Sequence, residues 1–128
     1  MSIFNKQVIV GLGIDIVEIA RIKLAMKNPR FVERILTPAE REYCTTAQKV
    51  AGRWAAKEAV AKAVGLELSW QDVEILPDEI GEPHAKVASR HLDPGRLRLK
   101  VSISHERNNA VAVAILERIS FHAPESLI

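Results

Sequence analysis

The segment TAQKVAGRWAAKEAVAKAVG, Thr46 to Gly65, constrains this chain more than any other. Its alanines and lysines favour a helix, and the closing glycine suits a left-handed cap. On a wheel of about 100° per residue, Ala47, Ala51, Trp54, Ala55, Ala61, Lys62 and Gly65 fall within roughly 60° of Glu58. Lys49, Arg53 and Lys57 project to other sides. Glu58 is thus an acid on a small-residue stripe, which another element can approach closely. A carboxylate in that position is partly desolvated and needs a cation or donors. An intrahelical pair with Lys62 and a ligand role for Glu58 both meet that need.

The partner surface is legible near the N-terminus. Val8, Val10, Leu12, Ile14 and Ile16 alternate as in a strand, and Ile9, Gly11, Gly13, Asp15 and Val17 form its other face. Two glycines beside an acid predict close backbone approach there. A helix is expected from about Glu18, carrying Ile19, Ile22 and Met26, with Pro29 interrupting it before a turn or two bearing Phe31 and Ile35. TPAE at Thr37–Glu40 has the form of a capping box. After the long helix come strands at Asp72–Leu76, at HAKV, and at Leu97–His105, and a last strand in AVAVAIL. The order predicts a single α+β domain over 1–128, an antiparallel sheet packed against a long central helix. The tail from about 118 to 128 loses periodicity and is expected to fray.

Charge and cysteine content narrow the function classes. The net charge of +2 over 128 residues is too small to argue for nucleic acid. Its distribution is uneven: Arg21, Lys23, Lys27, Arg30 and Arg34 share one segment with a single acid, Glu33. Such a surface suits an acidic partner, or is simply a solvated face. A lone Cys44 forbids an intramolecular disulfide and points to a reducing compartment, with the thiol buried or half-buried rather than nucleophilic. Asp15 and Glu18 break the N-terminal apolar run, which has neither a cleavage pattern nor the length to span a bilayer. A cytoplasmic protein without a membrane segment is expected.

Asp15 and Glu58 are two acids on small-residue faces of different elements, with Lys62 one helical turn from Glu58. Such a set suits Mg²⁺, which takes one or two protein carboxylates, several waters and phosphate oxygens. The plain alternative for Asp15 is a cap on the following helix. Ser104 and His105 end a strand, where side chains commonly line a site. No zinc-type Cys/His cluster, phosphate-binding GxxxxGK[ST] loop or GxSxG elbow occurs, and the GLG of Gly11–Gly13 is too short for a dinucleotide fingerprint.

GLGIDIVEIARI, FVERILTPAE, AGRWAAKEAVAKAVG and VSISHERNNAVAVAI together resemble the holo-[acyl-carrier-protein] synthases, the short single-repeat 4′-phosphopantetheinyl transferases. The resemblance runs in order over most of Gly11–Glu117. Its specific part is the pairing of G-x-D near the N-terminus with the W/F-x-x-K-E-x-x-x-K helix.

The resemblance implies the 4′-phosphopantetheinyl transferase fold and a Mg²⁺-dependent reaction. The phosphopantetheine arm of coenzyme A passes to a serine of apo acyl carrier protein, releasing adenosine 3′,5′-bisphosphate, in support of fatty acid biosynthesis. It implies Asp15 and Glu58 as metal ligands, Lys62 near the reacting phosphate, and His105 in the coenzyme A site. Arg53, Gly65 with the segment after it, and Pro83 correspond to coenzyme A contacts. Arg21, Arg30 and Arg34 fall on the surface that docks the carrier protein. It further implies a homotrimer with active sites between protomers. The base for the carrier serine is Glu58 or a metal-bound water. Two departures stand out: GLELSW replaces a glycine-rich loop after the long helix, and the ILTPAEREYCTTAQKV connection is short, lacking basic residues that some relatives place there, with Lys49 near its end.

The residues also admit two rivals. One is another Mg²⁺-dependent transferase acting on a phosphate or nucleotide; the other is a trimeric coenzyme A-binding module without turnover.

Overall fold

The computed structural model describes residues 4–88 and 90–122, with side chains over 8–88 and 90–119. The elements are β1 (Phe4–Glu18), α1 (Ile19–Ala25), α2 (Pro29–Ile35), α3 (Pro38–Tyr43), α4 (Ala47–Val64), β2 (Val73–Pro77), β3 (Pro83–Val87), β4 (Leu97–His105) and β5 (Asn109–His122). A 3-10 turn at Trp70–Asp72 leads into β2. The architecture is α+β and antiparallel, as the sequence predicts. The strands divide into two sheets, however: β1-β5-β4, and a separate β2-β3 hairpin.

Local chemistry sets the helix ends. Asn28 caps α2 by accepting from Arg30 N, and Pro29 occupies its first turn. Thr37 and Glu40 form the reciprocal capping box of α3. Thr46 accepts from Lys49 N at the start of α4, and Gly65 ends that helix at φ +76°, a left-handed conformation that costs glycine little.

β1 and β5 pair along their whole length, from Phe4↔His122 to Glu18↔Asn109. The expected fraying tail is therefore ordered strand as far as His122, because β1 extends far enough to pair it; residues 123–128 lie outside the described residues. The register shifts between Ile9 and Gly11, leaving Val10 as an extra residue. This bulge breaks the alternation, and Ile9 and Val10 are both exposed instead of Ile9 sharing the face of Gly11.

α4 lies directly on the inner face of β1. A Cβ on Gly11 would stand 1.9 Å from Ala63 O, and one on Gly13 would stand 1.9 Å from Ala59 O. Both are impossible contacts, so glycine is what lets helix and strand backbones meet. Ala110, Ala112 and Ala114 of β5 and Ala51, Ala55, Ala59 and Ala63 of α4 are buried in the same layer. Close approach of small residues replaces bulky interdigitation there. The outer face is different: Leu12, Ile14 and Ile16 are 65%, 59% and 65% exposed.

Candidate active site

Asp15 follows Gly13 on the inner face of β1 and meets Lys62 at the flank of α4. Lys62 Nζ donates to Ile14 O at 2.9 Å and to Asp15 Oδ1 at 3.3 Å. The glycine contact causes this meeting: with Ala59 and Ala63 on the β1 backbone, a lysine at the flank of the helix reaches the strand. Asp15 does not cap α1, whose N-cap Glu18 makes no side-chain cap bond either. Lys62 turns to Asp15 rather than to Glu58, and Glu58 has no hydrogen-bond or ion-pair partner among the described residues. The Asp15 side chain is 18% exposed and that of Lys62 54%, so the pair lies open to a solute.

Glu58 lines an open cleft of about 650 Å³ together with Lys57, Ala61, Val73 and the Leu66–Trp70 segment. That volume suits a group the size of a cofactor arm. Gly65, the exposed cap of α4, starts the segment that walls this cleft.

The other expected residues stand elsewhere in the chain. His105 ends β4 and shares a shallow cleft with Thr46, Gln48, Lys49 and Arg107. Lys49 to Lys62 spans thirteen helical residues, roughly 20 Å at 1.5 Å per residue. His105 and the Asp15–Lys62 pair therefore sit toward opposite ends of α4. Beside His105, Glu106 Oε1 accepts from the backbone of Asn108 and Asn109, and from Asn109 Nδ2. The Asn108 N–H, foremost, holds the Glu106 carboxyl below its usual range. Arg53 is buried; its Nε donates to Ile75 O at 3.1 Å, and its guanidinium lies 4.9 Å from the Tyr43 ring centroid. Pro83 opens β3 and lines a third cleft with Arg98, Lys100 and Ser102 of β4. Arg21, Lys23, Lys27, Arg30 and Arg34 are all exposed, distributed over α1, α2 and the turn between them. Cys44 is buried, and that burial pushes its thiol up, away from nucleophilic use.

Sequence reasoning passed over one group. Lys57 is 3% exposed and bonded to fully buried Glu40 at 2.6 Å. Its signal was present: Lys57 falls in helical phase with Val50, Val60 and Val64, an apolar series on which a lysine must be paired.

The comparisons agree with one another. The family model of the 4′-phosphopantetheinyl transferase superfamily matches residues 11–116. A holo-[acyl-carrier-protein] synthase of Exiguobacterium sp. is 44% identical over 124 residues, covering 89% of this chain and 97% of that protein. One from Halalkalibacterium halodurans is 46% identical over 123 residues, covering 88% and 98%. Among solved structures, the holo-(acyl-carrier-protein) synthase of Bacillus anthracis in complex with CoA (3′,5′-ADP) superposes with a TM-score of 0.76 at 39% identity, covering 86% of this chain and 97% of that one. The Helicobacter pylori enzyme in complex with coenzyme A gives 0.77 at 34%, covering 82% and 98%. This chain belongs to the 4′-phosphopantetheinyl transferase superfamily, among the holo-[acyl-carrier-protein] synthases.

Proposed function

We propose that this protein transfers the 4′-phosphopantetheine arm of coenzyme A to a serine of apo acyl carrier protein. The observation that carries the reading is the Asp15–Lys62 contact at 3.3 Å, with Glu58 one turn away on a cleft wall. The serine Oγ attacks the phosphorus bearing the pantetheine arm, the pyrophosphate P–O bond breaks, and adenosine 3′,5′-bisphosphate leaves. Positioning and charge stabilisation supply most of the catalysis in such transfers.

Asp15 and Glu58 fit Mg²⁺ in kind: two carboxylates from two elements, Asp15 beside Lys62, and Glu58 on the wall of an open cleft without another partner among the described residues. When bound there, the ion neutralises charge on the pyrophosphate oxygens. The Lys62 ammonium is already held against Asp15 and is exposed enough to follow charge onto the phosphate or the leaving group. The Glu58 carboxylate, without a protein donor among the described residues, is one candidate to take the serine proton.

Arg53, Gly65, Pro83 and His105 are assigned to coenzyme A. His105 and Lys62 lie toward opposite ends of α4, which fits a coenzyme A site shared between protomers. The reading therefore includes a homotrimer with sites between protomers. Its support is the bare outer sheet face, where Val10, Leu12, Ile14 and Ile16 stand exposed beside half-buried Val111, Val113 and Ile115. Covering each such side chain fully contributes about 1.5–3 kcal/mol. Arg21, Arg30 and Arg34 are assigned to the acidic carrier protein. A cytoplasmic role in fatty acid biosynthesis belongs to the same reading. The lone Cys44, which has no intramolecular partner for a disulfide, fits a reducing compartment.

Mass spectrometry of apo carrier protein incubated with this protein, coenzyme A and Mg²⁺ tests the reading. The carrier should gain one phosphopantetheine group, and chelation of the metal should stop the gain. Coenzyme A bound but never consumed would favour a binding module; consumption without carrier modification would favour another transferase.

A further inference from the structure

The ammonium of Lys57 is fully used. It donates to Ile35 O at 2.8 Å, Glu40 Oε1 at 2.6 Å and Trp70 O at 2.8 Å, three acceptors for three protons. Glu40 is equally occupied: Oε1 also accepts from Thr37 N at 2.8 Å, and Oε2 accepts from Ile75 N at 2.7 Å. One buried ion pair thus gathers the end of α2, the start of α3, β2, and the turn at Trp70 onto α4.

A buried pair of this kind is weak evidence for stability as such, since apolar replacements of similar volume are often as stable. What distinguishes this one is where its bonds go. Trp70 ends the Leu66–Trp70 segment, which lines the same cleft as Glu58. Leu66, Glu67 and Leu68 belong to no helix or strand. The segment is set at one end by the Gly65 cap and at the other by the Trp70 turn. That turn is held by Lys57 and by the Trp70 ring stacked on Trp54 at 4.5 Å between centroids. The residue that grips the wall directly precedes Glu58, which lines the same cleft, so both are referred to one turn of α4.

We infer that Lys57 is a positioning residue for the transfer site, holding the Leu66–Trp70 wall at a set distance from Glu58 so that the coenzyme A arm is seated against it. The inference rests on the transferase reading. It predicts an effect on substrate seating that does not follow from stability alone.

Two variants test it, Lys57→Met and the double variant Glu40→Met/Lys57→Met, each read by thermal midpoint, near-ultraviolet circular dichroism and steady-state kinetics. The single variant strands the Glu40 charge and should melt far below the native protein. The double variant removes the stranded charge and should recover part of that loss, since the buried N–H groups of Thr37 and Ile75 still lack their acceptor. The chain has only two tryptophans, and they form the stacked pair, so near-ultraviolet dichroism reports on Trp70. In the double variant that signal should stay diminished. KM for coenzyme A should stay raised about tenfold, with kcat changed much less. A stable double variant with native dichroism and native KM would overturn the inference, as would failure of both variants to fold. If the native protein itself transfers nothing, the transferase reading fails, while the melting and dichroism results still decide whether Lys57 holds the wall.

Discussion

Gly13 and Ala59 touch backbone to backbone: no Cβ fits on Gly13, because it would stand 1.9 Å from Ala59 O. This contact sets the distance between β1 and α4, and so decides whether Asp15 can meet Lys62. Gly13→Ala should push α4 away from the strand, costing about 1–3 kcal/mol or more as an overpacked core. Transfer should fall further than the loss of folded protein accounts for. A thermal midpoint and a specific activity corrected for folded fraction check both parts.

Asp15→Ala and Glu58→Ala should each reduce metal-dependent transfer by at least about 10²-fold. Both side chains are only partly buried, and the Asp15–Lys62 pair is open to solvent, so stability should change by no more than about 1 kcal/mol. Initial rates across a Mg²⁺ titration, with thermal melts in parallel, decide the matter. Near-normal turnover at limiting Mg²⁺ would remove the residue from the metal site, and loss of the fold would make it structural.

Lys62→Met keeps the length of the side chain and removes its charge. The expected result is a large fall in kcat with a smaller change in coenzyme A affinity, because the charge acts most strongly as the phosphate bond breaks. An unchanged rate would reduce Lys62 to a tether for Asp15.

Arg21→Glu should raise the apparent KM for acyl carrier protein several-fold while leaving coenzyme A binding almost untouched. Arg21 is exposed on α1, where a charge mainly steers encounter. Salt should imitate the substitution on the native protein and affect the variant less, since charges are screened over about 8 Å at physiological ionic strength. Rates against carrier concentration at low and high salt test this. Equal KM values and equal salt slopes would return α1 to an ordinary solvated surface.

Glu106 predicts a dependence on acid. Hydrogen bonds, first from Asn108 N–H, depress its carboxyl in the folded state. Its contribution to stability is therefore full above the ordinary carboxylate pKa of about 4.3 and is lost as pH falls through the lower folded value. Glu106→Gln should flatten the decline in thermal midpoint from about pH 5 downward. Parallel declines in the two proteins would show that the β4–β5 turn does not contribute to acid sensitivity.

The sequence by itself determined the elements and the candidate acids. Helix ends were legible because capping is local: Thr37, Glu40, Thr46 and Gly65 act within a few residues of themselves. The small-residue face of β1 was legible from its period, but on α4 the strand meets Ala59 and Ala63, which lie outside the stripe drawn about Glu58. Four matters were settled only by tertiary structure. The bulge at Val10 depends on pairing with Glu117 and Leu116, and the extension of β5 to His122 depends on the length of β1. The partner of Lys62 depended on competition. Glu58 is one turn away in the same helix, but the glycine contacts bring Asp15 and the Ile14 carbonyl within reach, and the lysine takes two acceptors there. Helical phase marks Lys57 for burial, but its pairing with Glu40, seventeen residues away in sequence, is set only by the packed core. Periodicity and capping are short-range and can be read along the chain. Which charges meet depends on how closely two backbones approach, and that distance exists only once the helix has settled on the strand.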